Sequence, residues 1–134
     1  MQADTLISTR IVRLQGGGLR FLDTLDARVV TRPFHGPAVG QQWRLTDLGG
    51  GVCTIQQMGS DRYLTAAVGS WAVTATACAD STAERWRVDD LGGGFATVSH
   101  VGSERFLEAL VDGPFSVVLR PAGSSEQTWR IGGR

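Results

Sequence analysis

The sequence predicts an all-β fold: twelve short strands in three pseudo-symmetric repeats of about 43 residues. Three observations carry that expectation. Trp43, Trp86 and Trp129 stand 43 residues apart, each with Gln or Glu two positions before it and Arg plus an aliphatic residue after it. A period in this range marks a repeat architecture and takes precedence over local propensity. The echo extends further: Asp47-Leu48-Gly49-Gly50-Gly51 returns as Asp90-Leu91-Gly92-Gly93-Gly94, and Gly59-Ser60-Asp61-Arg62-Tyr63-Leu64 as Gly102-Ser103-Glu104-Arg105-Phe106-Leu107. Finally, glycines interrupt the chain too often for a helical stripe, and most apolar runs are short.

Each repeat reads as four strands. Val52-Cys53-Thr54-Ile55-Gln56 and Phe95-Ala96-Thr97-Val98-Ser99 alternate with period two, as half-buried strands do. An Arg-aromatic-Leu segment follows as the second strand, loosest in the first repeat at Arg20-Phe21-Leu22. The third is an alternating run such as Trp71 to Thr76 or Phe115 to Leu119, and the fourth is the Trp-Arg-aliphatic segment. The last repeat stops at Ile131-Gly132-Gly133-Arg134, so the segment around Arg10 to Arg13 is expected to pair with it and close the molecule. The three glycine runs, Gly16 to Gly18, Gly49 to Gly51 and Gly92 to Gly94, lack the Lys-Ser/Thr and the strand-to-helix context of a phosphate cradle and read as hairpin turns needing positive φ.

Length and charge bound what the chain can do. Its 134 residues suit one domain, 1–134, with repeats at about 9–51, 52–94 and 95–134. Thirteen basic residues balance thirteen acidic ones, so no global field draws nucleic acid or an anionic membrane. No stretch approaches the roughly 18 apolar residues of a membrane span, and Met1 to Leu6 has no cationic region leading into an apolar run, which as written points to a cytoplasmic location. Cys53 and Cys78 show no CxxC spacing. Cys53 falls in phase with Ile55 and reads as a buried reduced thiol, with a Cys53–Cys78 disulfide as the alternative.

From about Thr9 to Ile131 the chain resembles the β-trefoil fold, and within it the ricin-B-type (R-type) lectins with their Gln-x-Trp repeat; Gln41 and Gln127 keep the Gln and Glu84 replaces it. The resemblance implies that the tryptophans are scaffold around a pseudo-threefold axis. It also implies a carbohydrate-binding module whose partner is a glycan or glycoprotein. In that family an Asp after the start of the second strand, polar groups near Gln-x-Trp and a stacking aromatic hold the sugar, since a carboxylate accepts from vicinal hydroxyls and an aromatic face covers the C–H patch of a pyranose. The Asp position falls on Asp23, Thr65 and Glu108, so the first lobe matches best and the third next.

The aromatic's position falls near Arg32, Thr76 and Arg120, none of them aromatic; nearby rings are Phe34 with His35 in the first lobe, Trp71 in the second and Phe115 in the third. The ligand-binding candidates are therefore Asp23, Arg32, Phe34, His35, Gln41, Trp71, Glu108, Phe115 and Arg120. Loops before Gln-x-Trp are short, which favours shallow pockets. They also open a second class of function, because the proline-bounded loop from Arg32 to Pro37, and Asp112-Gly113-Pro114-Phe115, could present a residue to a protease or other protein at low entropic cost. Catalysis is not expected: neither His35 nor His100 has a motif fixing a nucleophile or metal, although a barrel-mouth pocket would reopen a small-enzyme reading. No cofactor or metal is implied.

Overall fold

The three tryptophan-bearing strands alternate with three others in a closed ring. In the computed structural model, which describes residues 9–26, 28–34, 39–66, 73–76, 82–111, 115–123 and 125–133, the strands are β1 (Thr9–Gln15), β2 (Arg20–Leu25), β3 (Arg28–Pro33), β4 (Trp43–Gly49), β5 (Val52–Gln57), β6 (Tyr63–Ala66), β7 (Val73–Thr76), β8 (Trp86–Gly92), β9 (Phe95–His100), β10 (Phe106–Ala109), β11 (Val117–Arg120) and β12 (Trp129–Gly133). Antiparallel ladders run β1–β4, β4–β5, β5–β8, β8–β9, β9–β12 and β12–β1, a six-membered barrel without an edge. The hairpins β2–β3, β6–β7 and β10–β11 lie outside it, touching through the Arg28–Thr74 and Val30–Ser116 bridges. This is the β-trefoil expected from the repeat.

The closing contact is the one the sequence anticipates. Val12, Arg13, Leu14 and Gln15 of β1 face Gly133, Gly132, Ile131 and Arg130 of β12. Register then fixes which residues are equivalent between lobes. Trp43 faces Val12, Trp86 faces Cys53 and Trp129 faces Ala96, so these three small residues share one layer of the core. Each indole ring is fully buried and donates its N–H to the carbonyl of a fully buried leucine: Trp43 to Leu22 at 2.9 Å, Trp86 to Leu64 at 2.9 Å and Trp129 to Leu107 at 3.0 Å. A buried indole without that acceptor would leave a donor unsatisfied, so the bond fixes each ring's depth. Cys53 is a free, buried thiol, while Cys78 lies outside the described residues.

The glycine runs divide. In the β4–β5 and β8–β9 turns all six glycines have positive φ, between 65° and 94°, and Asp47 and Asp90 each accept the N–H two residues on, at 2.8 Å. The run at Gly16 to Gly18 does not fit the expectation. Gly16 has φ of −93°, and the left-handed residue is Leu19 at 57°, equivalent to Asp61 at 59° and Glu104 at 60°. Gly16 is required for space instead: a Cβ there would stand 3.2 Å from the Ala109 Cβ and 3.3 Å from the Trp129 ring.

Candidate functional site

Two positions recur in every lobe: the residue after the aromatic-Leu pair, and the first residue of Gln-x-Trp. In the first lobe they are Asp23 and Gln41, both buried, at 6% and 0% exposure. Gln41 donates from Nε2 to Asp23 Oδ2 at 3.2 Å and to the Pro33 carbonyl at 2.8 Å, and the Thr24 N–H closes on Asp23 Oδ1 at 2.7 Å. The third lobe repeats the device with a longer acid: Gln127 Nε2 donates to Glu108 Oε1 at 3.0 Å and to the Pro121 carbonyl at 2.7 Å. The second lobe inverts it. Thr65 holds the first position and the buried Glu84 the second, so each lobe keeps one carboxylate in the pair.

Around Asp23 the next shell is polar. Gln57 Nε2 donates to the Gly40 carbonyl at 2.8 Å and to Thr24 Oγ1 at 3.0 Å, while its Oε1 accepts the Ser60 hydroxyl at 2.6 Å. A Cβ on Gly40 would stand 3.2 Å from Asp23 Oδ1 and 3.3 Å from Gln57 Nε2, so the missing side chain keeps this corner clear. Gln57, Thr24 and Gly40 were not among the sequence candidates. The signal available was that Gln57 and His100 occupy the same place in successive repeats.

His100 holds the equivalent place beside the second lobe, against the Thr82 carbonyl and Trp86. The Ser103 N–H donates to Nδ1 at 3.2 Å and the Thr82 carbonyl lies 3.2 Å from Nε2, which fixes the neutral tautomer with its proton on Nε2. The ring packs edge-on to Trp86 at 5.3 Å, and burial lowers its pKa. It is a scaffold residue.

The remaining candidates scatter. Arg120 brings Nε to 4.0 Å from Glu108 Oε2 and so joins the third-lobe pair from its exposed side. Arg32, on β3, pairs with Phe21. Phe34 is 56% exposed, but its ring meets Phe21 at 5.6 Å and lies under the Arg13 guanidinium at 5.2 Å, a setting formed with β1 and β2. One face of Phe115 is covered by the Arg20 guanidinium, 3.6 Å from the ring centroid, and Arg20 is held by the Thr31 carbonyl at 2.7 Å. Phe115 itself has φ of 60° and accepts the Thr31 N–H at 3.0 Å, so it fastens the third lobe to the first. His35 and Trp71 lie outside the described residues, as do residues 35–37 of the proline-bounded loop.

Two small concavities sit at the open end of the barrel. One, of about 200 Å³, is lined by Arg10, Asp47 and Cys53 among others, and one of about 150 Å³ by Arg10, Asp90 and Phe95. Neither is lined by a histidine. The Cys53 thiol beneath is pushed up to about 11, first by burial and then by the Asp47 charge, against a smaller opposing pull from Arg10, which keeps it a poor nucleophile. Among the described residues no group of three or more His, Cys, Asp and Glu could hold a metal ion, and no helix is long and apolar enough to cross a membrane.

Comparison with solved structures agrees with this architecture. The designed three-fold symmetric protein ThreeFoil superposes with a TM-score of 0.83 at 24% identity, over 92% of this chain and 99% of its own. The exo-β-1,3-galactanase 1,3Gal43A from Clostridium thermocellum gives 0.84 at 21% identity, over 95% of this chain but 31% of the enzyme. The Polyporus squamosus lectin, solved with Neu5Aca2-6Galb1-4GlcNAc, gives 0.81 at 13% identity, over 92% of this chain and 49% of the lectin. At these identities the likenesses establish the fold. No curated protein sequence matches the chain. The family model for ricin-type beta-trefoil lectin domain-like proteins matches residues 39–114, more than half of the sequence, and the chain belongs to that family.

Proposed function

We propose that this chain is a carbohydrate-binding module, working as one domain, with its principal site at Asp23 in the first lobe and a second at Glu108 in the third. The observation that carries the reading is the state of the Asp23 carboxylate. It is oriented by Gln41 and by the Thr24 N–H, one bond to each oxygen, and a carboxylate has about four acceptor positions. One position per oxygen remains for the vicinal hydroxyls of a sugar, and the pre-set orientation removes part of the ordering cost of binding. Glu108 offers the same chemistry, tied by Gln127 at one oxygen and approached by Arg120 at the other. Arg32 and Arg120 line the two sites as hydrogen-bond donors. Phe34, His35, Trp71 and Phe115 are the candidate stacking rings, and the Arg20 guanidinium on one face of Phe115 leaves that face closed to a sugar.

The neighbours support the ligand class: one is named a galactanase and another a lectin solved with a sialylated saccharide. Binding per site is weak, since a shallow wet contact gains little net free energy, so affinity rests on valency. The role is binding rather than catalysis. A glycan array of the wild type beside Asp23→Ala tests the reading: a signal that falls in the variant supports it, and silence of the wild type across the array sinks it.

A further inference from the structure

At the open end of the barrel the three repeats stop agreeing. Val12, Cys53 and Ala96 are equivalent, each facing a repeat tryptophan, so two residues earlier Arg10 takes the place of the turn glycines Gly51 and Gly94. Two corners of the mouth carry hairpin turns, and the third carries a guanidinium. The place four residues beyond each tryptophan holds Asp47, Asp90 and Gly133. Arg10 is the shared wall of the two hollows described above, with Asp47 on the rim of the larger and Asp90 on the rim of the smaller.

These rim charges are uncommitted. Asp47 and Asp90 each use Oδ1 to accept the N–H of Gly49 or Gly92, at 2.8 Å, and Oδ2 keeps its accepting positions. Arg10 is exposed, and among the described residues its side chain has no hydrogen bond or ion pair. Under Asp47 the hollow of about 200 Å³ has an apolar floor of Leu45, Val52, Cys53 and Val88. Asp47 and Arg10 act on the Cys53 thiol in opposite senses, so the two charges converge above that floor. A plain anion would meet the rim carboxylates, a plain cation would meet the guanidinium, and a neutral sugar would answer neither sign. A zwitterion answers both: the guanidinium fork grips a carboxylate with two parallel hydrogen bonds, and a carboxylate oxygen accepts from an ammonium. The volume is below the roughly 300–1,000 Å³ of drug-sized pockets, which suits one small molecule.

We infer that the hollow between Arg10 and Asp47 binds a free aliphatic α-amino acid, with Arg10 taking the α-carboxylate, Asp47 the α-ammonium, and Leu45, Val52 and Val88 the side chain. The site shares no residue with the two saccharide sites and stands or falls apart from them.

The test titrates the full chain with L-leucine, leucinamide, N-acetyl-L-leucine and glycine, followed by NMR shift changes. Leucinamide lacks the carboxylate and N-acetyl-L-leucine lacks the ammonium, so each is expected to bind about fivefold or more weaker than leucine, as is glycine, which lacks the side chain. Leucine binding should weaken as salt rises, and its shift changes should centre on Gly51, Val52 and Val88. Asp47→Asn keeps an oxygen for the Gly49 N–H while removing the charge; it is expected to lose about fivefold in leucine affinity with the melting temperature unchanged. Arg10→Gln, on the exposed rim, is expected to lose as much for leucine and nothing for leucinamide. No leucine binding, equal binding of leucine and either singly charged analogue, or an unaffected Asp47→Asn or Arg10→Gln overturns the inference. Glycine binding as tightly as leucine overturns the role of the floor. Leucine shifts confined to Thr24 and Gly40 also remove this site, and the glycan array then decides the Asp23 reading by itself.

Discussion

Gln41 donates one amide nitrogen to two acceptors at once, Oδ2 of Asp23 at 3.2 Å and the Pro33 carbonyl at 2.8 Å. The glutamine that defines the Gln-x-Trp motif is therefore fully buried and acts by holding the carboxylate in place. Asp23→Ala removes one acceptor of a buried donor that keeps a second, so a modest destabilisation of about 1 kcal/mol is expected in urea unfolding, together with loss of the glycan signal. Gln41→Ala takes a donor from Asp23 Oδ2 and from the Pro33 carbonyl together and is expected to cost more, about 2–4 kcal/mol.

The indole-to-leucine bonds predict a different outcome. Trp86→Phe leaves the buried Leu64 carbonyl without its donor and opens space beside Cys53, for an expected loss of about 2–4 kcal/mol. Sugar binding at the first lobe should persist in whatever fraction remains folded, measured by thermal unfolding beside calorimetric titration.

Acid sensitivity is expected from His100. Burial of the ring lowers its pKa, against a smaller opposing pull from the hydrogen bond to the Thr82 carbonyl. A histidine with a depressed folded pKa contributes stability that is fully present above its unfolded value, about 6.5, and is lost as pH falls through the folded pKa. His100→Gln copies Gln57 of the preceding repeat. Its melting temperature should fall less than the wild type's between pH 7 and about pH 4; equal slopes would reject the assignment.

Alkaline sensitivity is expected from Cys53. Its pKa is raised from 9.0 to about 11, so its contribution holds below pH 9 and is lost as pH climbs toward 11, when the unfolded chain ionises first. Cys53→Ala should flatten that limb at the expense of a small cavity. In the wild type, alkylation of Cys53 at pH 8 should proceed only on unfolding, read by peptide mapping of that residue.

The Arg20–Phe115 contact predicts coupling between lobes. Each single alanine substitution should destabilise by about 0.5–2 kcal/mol, and the double-mutant cycle should show the pair to be non-additive.

Much of this was legible in the sequence. The period of the tryptophans gave three lobes because a buried indole demands the same neighbours each time, and the closure through Arg10 to Arg13 followed from a last repeat that lacked a partner. The Asp23 and Glu108 positions came from the resemblance to the ricin-B-type lectins, carried onto the residue after each aromatic-Leu pair. Other features depend on pairings between distant segments. Nothing in Gly132 or Arg13 alone says that they face each other. Phe115 reads as a free loop aromatic until Arg20 is found on its face. Gly16 resembles the turn glycines by sequence, yet it is needed because Trp129 comes from the far end of the chain.

The pairing of β1 with β12 also sets a schedule for synthesis. β1 is made first among the strands and β12 last, so the ring stays open, with Trp129 missing from the core, until that final strand has left the ribosome. Until then Arg13, Leu14 and Gln15 present unsatisfied backbone groups to any strand that reaches them. The open ring is most exposed to mispairing at β1, and closure of the fold waits for β12 to emerge.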